Sequence, residues 1–335
     1  MPGVFRSIVG LIALSLVLTT ALGRLHRAEA QPAGRSVPID FVPLIDHRQH
    51  LFSSADAALV NDPPRTPRYQ APITSDDLIE MLDLAHIARA VVLSEAFWHD
   101  GPSPRSPDPY PLVRAENDWT AQQVAKYPKR LVAFCGFNPL ADYALEELRR
   151  CASSKAFGGL KLGFASSGVN LSNPTHVAKV RGVFQAADGY GLPIVVHARG
   201  VGSYGLEQAR VMLDQIVAAA PHIPVQIAHL WGGEGYSGDA LQVYAEAVAR
   251  HEPETRILYF DVAEIAFVAG NSPQIMRTIA MRIRQIGLGR ILYGSDAALN
   301  GRLKPREAWE LFCTKVPLTR SEFRAIAQNV APYMR

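Results

Sequence analysis

The sequence predicts an α/β protein: a single (β/α)8 barrel of the TIM type over residues 38–335, preceded by an N-terminal export signal over residues 1–30. Short apolar segments rich in β-branched residues alternate with helical segments eight times along the chain. Strands that are apolar almost throughout are buried on both faces and therefore pair in parallel. Eight strand–helix units in one run favour a closed barrel over an open, doubly wound sheet.

The eight predicted strands are FVPLID, RAVVLS, RLVAFCGF, GGLKLG, PIVVH, PVQIAH, RILYFDV and RILYGS. Each is followed by a helical segment, such as LEQARVMLDQIVAAA after the fifth strand, and RSEFRAIAQNVAPYM forms a last helix. Two long, proline-rich connections follow the first and second strands, on the barrel face where active sites lie. Loops of this length are usually functional, and surface insertions without a role are the alternative.

The first thirty residues have the three zones of a secretory signal. Arg6 supplies the positive end, SIVGLIALSLVLTTALG the apolar stretch, and AEA before Gln31 a small-residue cleavage site. We therefore expect cleavage after Ala30, export to the periplasm and no membrane contact afterwards. The alternative is an N-terminal membrane anchor, because Arg24 and Arg27 stand between the apolar stretch and the cleavage site. The apolar stretch is short for a membrane span, which favours export.

Composition limits the classes of partner and of compartment. The chain is 48% hydrophobic and 19% charged, with a formal net charge of +3 that falls further without the basic leader. Such a balance gives no electrostatic reason to expect nucleic acid, so we expect a small-molecule substrate. The three cysteines are too few and too scattered for a disulfide scaffold, and Cys135 is predicted to be a small buried hydrophobic residue. An oxidising compartment is permitted by this count and not required.

Polar residues with catalytic or ligand chemistry follow five of the predicted strands. They are His47, Arg48 and His50 after the first, Lys161 in the fourth, His197 and Arg199 after the fifth, His229 after the sixth and Asp296 after the eighth. The carboxyl ends of all barrel strands meet at one rim, so these side chains are expected to lie together. Imidazole and carboxylate are the ligands of a borderline divalent ion, and the predicted cofactor is Zn²⁺.

The motifs IDHRQHLF, GGLKLGF, GLPIVVHAR, VQIAHLWGG, RILYGSDA and NVAPYMR, in this order, resemble the amidohydrolase-related metal-dependent hydrolases of the amidohydrolase superfamily. The similarity extends from about Pro43 to the C-terminus. It implies that His50, His197 and Asp296 bind the metal, and that His229 polarises the substrate or handles a proton.

Arg48 is the one departure from the motif of the first strand. The family has Asp-x-His-x-His there, and aligning Asp46 and His50 puts Arg48 in the position of the first ligand histidine. Side chains alternate along a strand, so Asp46, Arg48 and His50 are predicted to point to one side and His47 with Gln49 to the other. A guanidinium has no lone pair for a cation. Either the remaining ligands bind the metal, or Arg48 replaces it as a fixed positive charge.

The sequence therefore predicts a hydrolase that cleaves an amide or lactone bond of a small organic substrate with metal-activated water. Asp296 is expected to take the proton of that water and His229 to stabilise the oxyanion or the leaving group. Lys161 and Arg199 are expected to bind a substrate carboxylate, unless Lys161 is a solvated rim residue, and Trp231 to line the pocket or simply pack. A decarboxylase, a metal-independent lactonase that uses Arg48, and a degenerate binding protein are the alternatives. Substrate, metal identity and oligomeric state, a homo-oligomer included, are left open by the sequence.

Overall fold

The computed structural model of the protein describes residues 40–60, 72–104, 106–233, 235–268, 272–297 and 304–335. They all belong to one compact unit. The predicted export signal, its cleavage site and the predicted start of the barrel domain at residue 38 lie outside the described residues, so these stay predictions. Within the described ranges, every helix is too short or too polar to cross a membrane.

Eight parallel strands form the centre of the fold. They are β1 Ile45–Gln49, β2 Arg89–Leu93, β3 Leu131–Gly136, β4 Phe157–Gly163, β5 Ile194–His197, β6 Val225–Ile227, β7 Leu258–Asp261 and β8 Ile291–Leu292. Each pairs with the next in chain order. Beyond β8, the amide of His47 donates to Tyr293 O over 2.9 Å and that of Asp296 to Arg48 O over 3.1 Å. The predicted eight-stranded order is confirmed, and the strands form a nearly closed barrel of the (β/α)8 type.

Helices cover the outside of the strands. The α-helices are α1 Ser54–Val60, α2 Ser75–Ala85, α3 Tyr110–Ala125, α4 Ala144–Ser154, α5 Pro174–Tyr190, α6 Leu206–Val211, α7 Gly238–Ala249, α8 Ile265–Val268, α9 Pro273–Ile286, α10 Pro305–Lys315 and α11 Arg320–Gln328. A 3-10 helix, Ala96–Asp100, follows β2. Side-chain caps fix several starts, as where Thr74 forms a capping box with Asp77 at α2. Their apolar faces pack on the strands in one continuous core.

The C-terminal segment fills the barrel interior at the amino ends of the strands. Tyr333 and Met334 pack against inward side chains of the strands, among them Val91, Phe134 and Val195. The Arg89 guanidinium, at the first residue of β2, donates to Met334 O over 2.5 Å, which places this segment at the amino ends of the strands. The carboxyl ends of the strands are therefore the ends left for a functional site, as in other barrels of this type.

A disulfide bond joins Cys135 on β3 to Cys151 on α4. Cys135 is fully buried, as predicted, but its interpretation as a simple hydrophobic residue is wrong, because it is covalently paired. The spacing of 16 residues gave no motif that could have indicated the pair. The bond fastens one helix of the outer layer to the strand beneath it, and the third cysteine, Cys313, is free and buried.

Removing this bond should destabilise the barrel. Closing a loop of about 15 residues restricts the unfolded chain by roughly 3 kcal/mol, so Cys135→Ala with Cys151→Ala should lose about 2–4 kcal/mol of unfolding free energy. Urea denaturation of the double variant and of the unaltered chain, each with and without reductant, measures this. Cys313→Ala is the matched control and should respond to reductant as the unaltered chain does. Equal stability of the double variant and the unaltered chain would contradict the prediction.

Candidate active site

Buried charged and polar side chains converge at the carboxyl ends of the strands. The group comprises Arg48, His50, Glu95, Lys161, His197, His229, Asp261 and Asp296, and each except His197 is at most 3% exposed. They come from β1, β4, β5 and β7 and from the residues that follow β1, β2, β6 and β8. The sequence located six of these eight side chains, and the structure brings those six to one end of the barrel. Glu95 and Asp261 were not assigned a role there.

Asp296 lies at the centre of this group. Its Oδ2 accepts a hydrogen bond of 2.9 Å from Arg48 Nε, and its Oδ1 lies 3.0 Å from His50 Nε2. His229 Nε2 is 3.8 Å from Oδ2. Burial raises the pKa of Asp296, but the charges of Arg48 and His50 lower it more, and the net pKa is well below the usual range. Asp296 is thus a permanent carboxylate held between cations.

The end of β1 contains an irregularity that changes the predicted alternation. The pairing of β1 with β2 shifts register between Asp46 and Gln49. Arg48 and His50 both contact Asp296, so they point to the same side, as predicted. The prediction for Asp46 is wrong: it accepts from Gln49 Nε2 over 2.7 Å and from the amide of Ser295 over 3.0 Å. Alternation fails here because a bulge inserts a residue into the strand and re-aims its neighbours.

His47 has a structural role beside this bulge. Its Nδ1 lies 3.0 Å from Tyr293 O and its Nε2 accepts from the amide of Ala331 over 3.2 Å. A carbonyl only accepts, so Nδ1 carries the proton and the ring is neutral. Burial lowers the pKa of His47 to about 4. His47 therefore joins β1, the residues after β8 and the C-terminal segment without taking part in the site.

Two histidines of the site are oriented by backbone carbonyls. His50 Nδ1 lies 3.0 Å from Leu93 O, and His229 Nδ1 lies 3.0 Å from Ala263 O, so each Nδ1 donates and each Nε2 faces Asp296. His50 Nδ1 is also 2.6 Å from Glu95 Oε1. Burial lowers the pKa of His50, but Glu95 and Asp296 raise it more, which favours the imidazolium.

His229 and His197 differ from His50, because the net effect of their surroundings lowers the pKa of each ring. Both histidines are therefore neutral. Burial and then Arg48 lower the pKa of His229. Burial and then His229 lower the pKa of His197 well below its usual value. The two rings meet edge to face with centroids 5.1 Å apart. His229 Nε2 therefore offers a lone pair to whatever occupies the space beside Asp296.

The donor set that could hold a metal differs from the predicted one. Among the described residues at this end of the barrel, the three ligands whose atoms lie within 4.8 Å of one another are His229, Glu264 and Asp296. The predicted trio of His50, His197 and Asp296 does not form such a group in this structure, and its role as metal ligands stays a prediction. Oxygen and nitrogen donors of this kind suit a divalent ion. Arg48 competes with it, because its guanidinium already donates to Asp296.

A cleft of about 610 Å³ opens above these residues. Its wall includes Arg48, Glu95, Phe97, Trp98, Lys161, His197 and Arg199. The alternative that Lys161 is a solvated rim residue is wrong, since Lys161 is 1% exposed. Its ammonium lies 5.9 Å from the centre of the Phe97 ring. Burial and then the charge of Arg48 lower its pKa to about 8.

Trp231 does not belong to this cleft. It is fully buried in the main core, its Nε1 donates to Gly233 O over 2.5 Å, and its ring packs edge to face on Tyr236. The expectation that it binds substrate is corrected accordingly. Phe97 and Trp98, which do line the cleft, lie in the segment after β2. The length and proline content of the connection after that strand indicated that it lies at the active-site face. They did not indicate which of its residues line the cleft.

Comparisons with known proteins find one matching family and several solved structures of similar fold. A family model described as amidohydrolase matches residues 105–331. Similar solved structures include 5-carboxyvanillate decarboxylase from Sphingomonas paucimobilis, at 16% identity and a TM-score of 0.58 over 86% of this chain and 97% of that one. No curated protein matches the chain.

Two further structures share the fold at similar distance. The 2,6-dihydroxybenzoate decarboxylase from Rhizobium is 16% identical, with a TM-score of 0.57 over 86% of this chain and 97% of that one. A dihydroxybenzoic acid decarboxylase from Polaromonas, solved with manganese and 2-nitroresorcinol, is 17% identical, with a TM-score of 0.59 over 86% and 95%. At these identities the similarity establishes the fold.

The neutral, buried state of His47 predicts a loss of stability in acid. The folded chain resists protonation of His47 down to about pH 4, whereas the unfolded chain binds that proton below about pH 6.5. Stability is thus complete above about pH 6.5 and falls as the pH approaches 4, by about 2–3 kcal/mol for this group. Urea denaturation at pH 7 and pH 4.5 should show a smaller loss for His47→Gln than for the unaltered chain. An equal loss in both proteins would show that His47 does not carry the effect.

Proposed function

Because this chain belongs to the amidohydrolase family, we propose that it is an enzyme that acts on a small aromatic carboxylate and releases the carboxyl group as CO2. The observation that carries this is the pair of buried cations, Arg48 and Lys161, on the wall of a cleft that also presents aromatic rings. Hydrolysis of an amide or lactone bond in a carboxylate-bearing substrate is the second candidate. Both reactions would use residues of the same buried group.

Lys161 supports an anionic substrate. Among the described residues, no carboxylate lies within ion-pair distance of its ammonium, although the side chain is almost fully buried. A buried ammonium without a partner is costly, and a substrate carboxylate would satisfy it with charge-assisted hydrogen bonds. Arg199 lines the same cleft and offers a second cationic group. This agrees with the substrate-binding role expected for both residues.

The aromatic part of the substrate is supported by Phe97 and Trp98. Trp98 is partly exposed and stacks on Phe52 with ring centroids 5.7 Å apart, so its position is fixed from behind. Rigid aromatic walls and a few convergent polar groups are typical of sites for small planar ligands. The structures of three decarboxylases that act on aromatic acids, as their names state, favour the same substrate class.

In decarboxylation the chain's own residues supply charge, shape and a proton. The cleft removes water from the carboxylate, which becomes CO2, and the electron pair of the broken bond stays on the ring carbon. That carbon must then gain a proton. Glu95 lines the cleft and its Oε1 lies 2.6 Å from His50 Nδ1, so Glu95 can carry a proton from the His50 imidazolium to the substrate.

For hydrolysis the base differs from the one predicted. Asp296 was expected to accept the proton of the attacking water, but its contacts with Arg48 and His50 make it a weak base. As long as no metal occupies its Nε2, the neutral His229 is better suited to take that proton. Arg48 would stabilise the developing oxyanion, and Asp296 would hold Arg48 and His50 in place.

A divalent metal is supported by the family and by the manganese in three similar decarboxylase structures. We propose that His229, Glu264 and Asp296 hold it in this chain, since their donor atoms are close together and of suitable chemistry. When bound, the ion would polarise a carbonyl or carboxylate oxygen of the substrate. Zn²⁺, the ion suggested by the sequence, and Mn²⁺ are both compatible with this donor set.

Export to the periplasm is proposed on two grounds. The N-terminal sequence has the zones of a secretory signal. The bond between Cys135 and Cys151 is of the kind that persists in oxidising compartments.

The reaction can be tested on the purified chain with two substrate sets, hydroxylated benzoates and aromatic lactones or anilides that carry a carboxylate. CO2 release from the first set without turnover of the second supports decarboxylation, and the reverse supports hydrolysis. Lys161→Met should raise KM at least about tenfold, since a hydrogen bond to a charged group contributes roughly 1.5–3 kcal/mol. Lys126→Met, on the exposed surface, is the control. An unchanged KM in Lys161→Met would remove Lys161 from substrate binding.

Arg48 should lower metal occupancy. Two unit charges about 4 Å apart repel by roughly 4 kcal/mol at an effective dielectric near 20, and a divalent ion doubles this before Asp296 offsets part of it. At the site of His229, Glu264 and Asp296 the unaltered chain should therefore bind clearly less than one ion, whereas Arg48→His should approach one there. Elemental analysis after dialysis against Mn²⁺ or Zn²⁺ measures both, with the metal content of Asp296→Asn subtracted to remove ions bound elsewhere. A full, tightly held ion at this site in the unaltered chain would show that Arg48 moves away from Asp296 and does not exclude the metal.

A further inference from the structure

A second cluster of buried ligand-type side chains lies outside the proposed active site, on the segments that follow β1 and β2. Asp56 is on α1, His99 on the 3-10 helix after β2 and Glu116 on α3. Their exposed fractions are 0%, 7% and 3%. One donor atom from each lies within 4.8 Å of the other two. Three separate elements thus direct metal-type ligands at one point.

The carboxylates of this cluster have unused acceptor atoms. Both oxygens of Asp56 and Oε1 of Glu116 are buried, and among the described residues no group outside the cluster donates a hydrogen bond to them; the two carboxyls contact each other. Glu116 Oε2 accepts from Ser53 Oγ over 2.5 Å, and Asp56 Oδ1 lies 2.9 Å from His99 Nε2. Ordinary buried carboxylates are satisfied by several donors. Here, in the described part of the chain, no donor from outside the cluster forms a hydrogen bond to these three buried oxygens.

Charge makes the cluster unfavourable without a cation. Asp56 and Glu116 are close together, and the Glu95 carboxylate also acts on Asp56. Among the described residues, neither Asp56 nor Glu116 forms an ion pair with a lysine or an arginine. Burial, and then the neighbouring negative charges, raise the pKa of Asp56 to about 7 and that of Glu116 to about 8. Such groups either retain protons or gain a positive partner.

We propose that Asp56, His99 and Glu116 form a second divalent-cation site, distinct from the group around Asp296, that takes an ion of the Mn²⁺ or Zn²⁺ class. One imidazole nitrogen and two carboxylates are the ligand set of such ions, and neighbouring ligand atoms on one ion lie about 3 Å apart, close to the 2.9 Å between Asp56 Oδ1 and His99 Nε2. The hydroxyl of Ser53 orients Glu116 from behind, as outer groups orient metal ligands elsewhere.

An ion at this site would hold the aromatic wall of the substrate cleft in place. His99 directly follows Phe97 and Trp98, which form the aromatic wall. An ion held by His99 together with α1 and α3 would fasten that wall to the two helices. The site would thus set the shape of the substrate cleft without taking part in the reaction, and the proposal does not depend on which reaction the enzyme catalyses.

The test uses the full chain, freed of metal with a chelator, then equilibrated with Mn²⁺ alone and analysed for manganese per chain. Asp296→Asn removes the ion at the barrel mouth, and in that background about one ion per chain should remain. Adding Asp56→Asn or Glu116→Gln should weaken binding of the remaining ion at least about tenfold. Glu80→Gln, an exposed carboxylate on α2, is the matched control and should change nothing.

A direct observation guards against variants that fail to fold. Crystals of the unaltered chain soaked with Mn²⁺ should show an anomalous scattering peak among Asp56, His99 and Glu116. Absence of that peak would overturn the proposal. It would equally be overturned if Asp56→Asn and Glu116→Gln keep the manganese content of the Asp296→Asn chain, because the two carboxyls would then simply share a proton.

Discussion

The contact between Arg48 and Asp296 connects the fold to the site. It joins the end of the first strand to the residues after the last one, with 2.9 Å between Arg48 Nε and Asp296 Oδ2 and almost no exposure of either side chain. The backbone bond from the Asp296 amide to Arg48 O lies beside it. Removing one partner of such a buried pair costs about 3–5 kcal/mol, because the other charge is left without compensation. The same two residues thus contribute both to the closure of the barrel and to the charge at its centre.

The pair of Arg48 and Asp296 also affects the protonation states of the neighbouring histidines. With Arg48 held against Asp296, His229 remains neutral, while His50 gains a proton between Glu95 and Asp296. Among the described residues, Lys161 has no carboxylate within ion-pair distance, and it faces the cleft. The cleft therefore presents positive charge to a ligand even though the acidic residues beneath it are numerous. A carboxylate-bearing substrate is the ligand that such a distribution of charge favours.

The carboxylates on the side of Glu95 away from Asp296 are not balanced by basic side chains of the described chain. His50 separates Glu95 from Asp296, but no arginine or lysine of the described chain pairs with Asp56 or Glu116 beyond it. The barrel mouth thus combines a cation-rich half, built on β1 and β4, with a carboxylate-rich half behind the aromatic wall. The Arg48 guanidinium compensates the carboxylate of Asp296 in the first half, and a bound cation would compensate those of Asp56 and Glu116 in the second.

The sequence by itself determined the order of eight strands and the carboxyl-end positions of Arg48, His50, Lys161, His197, His229 and Asp296, because apolar runs and the residues that follow them are local patterns. It also determined that Arg48 stands where a ligand was expected. Only the tertiary structure decided that Asp46 turns to Gln49 and Ser295, since a bulge depends on strand pairing. The burial of Trp231, the bond between Cys135 and Cys151, and the proximity of Glu264 to Asp296 were likewise decided there. Contacts between residues far apart in the chain depend on packing, and local periodicity carries no information about them.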